Sequence, residues 1–139
     1  MARRVSAAPL ASGEDPARFA ADALDYAHAI ADRKIPASLH ARLAGERFIR
    51  DHRDARRASC PWSFDADAAN RAMFFATQMP NIKGPEAGNK IVLMPWQKFV
   101  YANVFGFRER ETGARRFRQG VVYVPKGNGK TTISAPLAM

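Results

Sequence analysis

Four stretches of this chain place apolar residues at helical spacing, and one places them consecutively. Phe19, Ala23, Tyr26, Ala27 and Ile30 share a stripe. Ahead of them, Asp15-Pro16 supplies a capping carboxylate and a proline whose missing N–H costs nothing in a first turn. This predicts a helix to about Arg33, broken by Pro36. Leu39, Leu43, Arg47 or Phe48, and Ile49 mark a second helix, to about Arg57. Asp65 caps a third, with Ala69, Met73, Ala76 and either Phe75 or Met79 facing inward. After a loop rich in glycine and proline at 80–90, Ile91-Val92-Leu93 fits a short strand or an extended lead-in. Pro95 opens a fourth helix whose buried stripe is Trp96, Phe99, Val100 and Val104 and whose end is Gly106. The consecutive run is Val121-Val122-Tyr123-Val124, β-branched and aromatic, the profile of a buried parallel strand. Pro125 cannot continue a central strand and fixes its end.

Directly after that strand comes Lys126-Gly127-Asn128-Gly129-Lys130-Thr131-Thr132. A triphosphate needs this order. Glycines let backbone N–H groups close on phosphate oxygens, a lysine neutralises the terminal phosphates, and a hydroxyl ligates Mg²⁺. The standard pattern has a further glycine where this chain has Val124, and a Gly-Lys-Thr triplet alone is unspecific. The preceding apolar run and the helical spacing of Ile133, Leu137 and Met139 favour the phosphate loop over a surface turn of glycine and lysine.

Charge sharpens the picture. The chain has 22 basic and 13 acidic residues, a net charge of +9, unevenly spread. Residues 1–70 are nearly neutral, whereas residues 71–139 hold eleven basic and three acidic side chains. The positive field lies in the half with the loop, and a nucleotide or nucleic acid is its physical match. An arginine-rich surface of no special function remains the bland alternative. Arg47, Arg50, Arg53, Arg56 and Arg57 alternate with Glu46, Asp51 and Asp54, the pattern of a solvated face with internal ion pairs. Cys60 is the sole cysteine, which excludes a disulfide framework or a cysteine metal pair and suits a reducing cytoplasm. His28, His40 and His52 recur at twelve-residue spacing and are expected to be solvated. No apolar run reaches membrane-spanning length, and residues 1–13, small and polar, are expected to be disordered.

Taken together, these segments resemble the large terminase subunit of tailed bacteriophages, the ATPase–nuclease that drives genome packaging. Four match in order: Cys60-Pro61-Trp62-Ser63-Phe64-Asp65; Asn81-Ile82-Lys83-Gly84 with Ala87-Gly88; Leu93-Met94-Pro95-Trp96-Gln97-Lys98-Phe99 with Phe105-Gly106; and Arg115-Arg116-Phe117-Arg118 leading into the loop. That family's phosphate loop also lacks the first glycine. The resemblance covers about residues 20–139. It implies an α/β fold, in which a helical prelude (residues 14–90) precedes the first strand and phosphate loop of a P-loop NTPase of the ASCE type (residues 91–139). The parallel-sheet domain so begun would be truncated.

By position, the resemblance gives ATP and Mg²⁺ as cofactors. Gly127, Asn128 and Gly129 would cradle phosphate, Lys130 would hold the β- and γ-phosphates, and Thr131, followed by Thr132, would ligate Mg²⁺. Lys126 would sense the γ-phosphate. Gln97 would read the adenine edge, its amide offering the donor and acceptor that adenine requires; otherwise it is an exposed helix residue beside a core tryptophan. Trp96 fits the core better than a stacking platform. Double-stranded phage DNA, a small terminase subunit and a portal protein would be partners. The full-length protein would form a homo-oligomeric ring in the host bacterial cytoplasm.

Two features depart from the family. Pro136 falls within two turns of the loop and should kink the helix there. The acidic groups that hold Mg²⁺ and orient water in phosphoryl transfer are not found after Thr132, nor is a nuclease domain. The expectation is therefore an amino-terminal piece that does not turn over ATP and folds poorly beyond about residue 115. Another P-loop DNA motor, such as a helicase, and a non-enzymatic basic module for DNA or a partner are the competing readings.

Overall fold

The structure is a computed structural model and describes residues 14–82 and 84–138. The amino-terminal segment 1–13 expected to be disordered, Lys83 and Met139 lie outside the described residues. Five α-helices and one two-stranded sheet make up the regular structure among them: α1 (Phe19–Ala31), α2 (Leu39–Asp54), β1 (Trp62–Phe64), α3 (Ala66–Thr77), α4 (Pro95–Gly106), β2 (Phe107–Glu109) and α5 (Lys130–Ser134).

Local chemistry sets the helix starts. Asp15 caps a short 3₁₀ turn, Pro16–Arg18, that feeds α1, accepting the Ala17 N–H at 3.0 Å. Ser38 accepts from the Ala41 N–H at 3.2 Å and starts α2. Asp65 accepts from the Ala68 N–H at 2.8 Å and starts α3. Each side-chain oxygen satisfies a donor that the first helical turn leaves without a partner.

Helix α4 is the centre of the packing, lying against both α1 and α3. One hydrophobic cluster joins Phe19, Met73, Ile91, Leu93, Tyr101 and Ile133. A second joins Ala27, Phe48, Ala102 and Phe107, with Phe64 and Phe99 packed on it. Both clusters draw residues from either side of residue 90. Strands β1 and β2 pair antiparallel with Phe64 opposite Phe107, and their rings meet edge-on at 5.0 Å. Arg116 lies over the Trp62 ring at 3.7 Å and pairs with buried Asp51 at 3.0 Å, tying the chain after β2 back to α2.

Several sequence expectations are corrected. The buried face of α4 is largely polar: Gln97, Lys98 and Asn103 are buried with Tyr101 and Ala102, while Trp96, Phe99, Val100 and Val104 are all half-buried. Lys98 and Asn103 have partners that make their burial tolerable. Lys98 donates to Glu14 and to Asp22 at 2.9 Å, and Asn103 accepts from Arg47 at 2.9 Å. On α2, Leu39 and Leu43 are exposed, because the helix docks through Gly45, Phe48 and Asp51 on its opposite side. A Cβ on Gly45 would lie 2.9 Å from Ile30, so only glycine allows this approach of α1. His52 is not solvated; its ring packs on Phe64 at 4.7 Å. Of the two α3 alternatives, Met79 packs inward and Phe75 is exposed.

The expected parallel strand at Val121–Val124 does not form, and the only sheet among the described residues is the antiparallel β1–β2 pair. Val121 is 96 % and Tyr123 100 % exposed, with Val122 and Val124 half-buried. That alternation is the period of an extended chain with one covered face. A strand gains its stability from a paired neighbour, and no described segment pairs with this one. Ile91–Leu93 is likewise an extended lead-in rather than a strand. Helix α5 stops at Ser134, two residues before Pro136, and continues as a 3₁₀ turn over Ala135–Ala138, the interruption that the proline requires.

Candidate functional site

Lys126, Gly127, Asn128 and Gly129 form a turn leading directly into α5, which Lys130, Thr131 and Thr132 open. Gly127 (φ 89°) and Gly129 (φ 73°) both adopt the left-handed conformation, which side chains other than glycine rarely tolerate. Asn128 lies between them, and the loop as a whole is open to solvent. Lys130 is the first residue of α5, and its ammonium donates to the Val124 carbonyl at 2.8 Å, folding the side chain back across the loop. The Ile133 N–H donates to the Gly129 carbonyl at 3.1 Å and closes the first turn.

The loop rests on α4. Gln97 is 2 % exposed, not the solvated helix residue that its surroundings in the sequence allow. Its Oε1 accepts the Met94 N–H at 2.8 Å, the returning half of a capping box, ahead of Pro95. A Cβ on Gly129 would lie 3.0 Å from Gln97 Nε2, so the amide abuts the loop. One turn along α4, the buried Tyr101 hydroxyl donates to the Ile133 carbonyl at 3.0 Å. Burial pushes the Tyr101 hydroxyl up to about 12. Beside the loop, Tyr26, Trp96, Phe99, Val122, Val124 and Asn128 line a largely apolar cavity of about 300 Å³.

The fold therefore brings Gln97 to the contiguous loop residues. Tyr101 and Lys98 do not stand out in the sequence. The four-residue spacing of Gln97 and Tyr101 puts both on one face of α4, but the aromatic stripe beside them is the stronger hydrophobic signal. Lys98 is tied to α1 rather than to the loop. Burial works to lower its affinity for a proton, and the hydrogen bonds to Asp22 and Glu14 more than offset this, holding it above the ordinary lysine range.

The loop suits a triphosphate and a hard cation. Two left-handed glycines leave the backbone without side-chain cover, a lysine ammonium lies across it, and the Thr131 hydroxyl is the oxygen type Mg²⁺ takes. Among the described residues no group of three or more His, Cys, Asp or Glu side chains could hold a metal.

Residues 95–139 match the ATPase domain of the terminase large subunit. Over this stretch, about a third of its length, the chain is similar to the terminase large subunit. No curated protein and no solved structure was found to match. The terminase match begins at Pro95, the first residue of α4, and contains Gln97 and every residue of the loop. The segments at Cys60–Asp65 and Asn81–Gly84 lie outside it. No helix among the described residues is long and apolar enough to cross a membrane.

Proposed function

We propose that this chain carries the nucleotide-binding edge of a terminase large subunit and binds ATP with Mg²⁺ through the loop from Lys126 to Thr132. One observation carries the reading: inside the family-matched stretch, two left-handed glycines bracket Asn128 and deliver Lys130 to the start of a helix. The N–H groups of Gly127, Asn128 and Gly129 would meet phosphate oxygens. Lys130 would release the Val124 carbonyl and take the β- and γ-phosphates, with Lys126 near the γ-phosphate. Thr131, supported by Thr132, would hold Mg²⁺, which when bound neutralises the phosphates and orients them. The base would lie along the Pro95–Phe99 segment, where the family places Gln97. Such a subunit is the ATP-driven motor that moves double-stranded phage DNA into a procapsid, as a ring that meets a small subunit and a portal in the host cytoplasm.

A separate DNA-binding role for Arg47, Arg50, Arg53 and Arg57 draws no support, because these four are engaged. Arg47 and Arg50 face Asp51, and Arg53 and Arg57 face Asp54, all within 4 Å. Calorimetric titration of the chain with ATP and Mg²⁺ tests the proposal. Saturable binding is expected, weakened roughly tenfold or more by Lys130→Ala. Binding indifferent to that change would contradict it.

A further inference from the structure

We infer that Gln97 is a positioning residue for the phosphate loop, its amide holding Gly129 in place; the inference rests on the nucleotide reading above. The side chain is 2 % exposed and its orientation is fixed, because Oε1 accepts the Met94 N–H at 2.8 Å beneath Pro95. Nε2 then faces Gly129, where an added Cβ would lie 3.0 Å away. Nε2 has no hydrogen-bond partner among the described residues. A nearly buried donor without a partner is costly. The nearest structure that can supply an acceptor is the loop itself, through a carbonyl or a bound phosphate oxygen.

The position of Gly129 makes this contact consequential. Gly129 is the residue from which α5 starts, with φ 73°, and its carbonyl accepts the Ile133 N–H at 3.1 Å. Tyr101, one turn beyond Gln97 on α4, holds the Ile133 carbonyl at 3.0 Å. Helix α4 thus meets both ends of the first turn of α5, Gln97 abutting Gly129 and Tyr101 bonded to Ile133. Reading an adenine edge requires a free donor and a free acceptor on one amide. Here Oε1 already accepts the Met94 N–H and the side chain is only 2 % exposed, which leaves little room for a base. The geometry fits control of the phosphate-binding backbone, felt equally by any ligand with a triphosphate.

Titrating the full chain and its Gln97→Met variant with ATP, GTP and inorganic triphosphate, each with Mg²⁺, tests the inference. The variant should weaken all three by the same factor, about tenfold. Loss of ATP affinity with triphosphate unchanged would overturn it in favour of base reading while leaving the nucleotide reading intact. A lower melting temperature with all three affinities unchanged would also overturn it, reducing Gln97 to a helix cap. Should Gln97→Met not fold, Gln97→Glu keeps an oxygen for the Met94 N–H while replacing the donor that faces Gly129. It should show the same uniform loss. If the unaltered chain binds none of the three ligands, the nucleotide reading itself fails, and this inference with it.

Discussion

Tyr101 and Ile133 are joined inside the core by a hydrogen bond of 3.0 Å from the phenolic hydroxyl to the backbone carbonyl. It ties α4 directly to α5, the short helix behind the glycine loop, and Ile133 is itself buried. Tyr101→Phe keeps the ring but leaves that carbonyl without its donor, and should cost about 1–2 kcal/mol in urea unfolding. The same residue gives a pH signature. Its hydroxyl is raised to about 12 from 10, so the unfolded chain loses this proton first as pH rises. The stability that it contributes is complete below pH 10 and falls as pH climbs towards 12. Melts across that range should show a shallower alkaline decline in Tyr101→Phe than in the unaltered chain.

Lys98 makes an asymmetric prediction. Its side chain is 6 % exposed, while those of its partners Glu14 and Asp22 are 33 % and 35 % exposed. Lys98→Met leaves two carboxylates that water can reach and should cost about 1–2 kcal/mol. The double change Glu14→Gln with Asp22→Asn leaves a buried ammonium without a counter-charge and should cost more, about 3–5 kcal/mol. Urea unfolding of both variants checks the order.

His52 should make the protein acid-sensitive. Burial against the aromatic cluster, helped by the charges of Arg56 and His28, holds its pKa below the ordinary value of 6.5. Unfolding frees the imidazole to take a proton, so its contribution is present above that value and is lost as pH falls below it. His52→Leu should flatten the dependence of melting temperature on pH between about 6.5 and 5.

Gly106 ends α4 against the Phe64 ring, and a Cβ there would overlap Phe64 Cε2. The ring is hemmed in by Phe107 at 5.0 Å, Phe48 at 5.9 Å and His52 at 4.7 Å, so it cannot swing aside. Gly106→Ala should therefore cost about 1–3 kcal/mol. Gly120→Ala, whose Cβ would meet only Val104 at an ordinary 3.7 Å, should change the midpoint of a urea melt little.

The starts of the helices were legible because caps are local. Asp15-Pro16, Asp65 and Pro95 announce their turns within three residues, and the helices begin there. The turn over residues 126–129 was legible for the same reason, since Gly127 and Gly129 carry the backbone geometry in their own identity. The faces of α2 and α4 were not. Whether Gln97, Lys98 and Asn103 turn inward depends on Glu14, Asp22, Arg47 and Gly129, all remote in the chain, and hydrophobic spacing carries no record of a distant partner. The β1–β2 pair escaped notice because three residues show too little alternation to stand out. Val121–Val124 has a strand's composition, yet composition does not supply the neighbour that a strand needs.

If the backbone from Lys126 to Thr132 closes on a triphosphate, its amides must lose contact with water when the ligand binds. Amide hydrogen exchange, measured residue by residue with and without ATP and Mg²⁺, tests this most directly. Slowed exchange is expected at Gly127, Asn128, Gly129, Lys130 and Thr131, and Lys130→Ala should need correspondingly more ATP to reach it. Unchanged exchange at these five amides with ATP saturating, or protection confined to other parts of the chain, would contradict it.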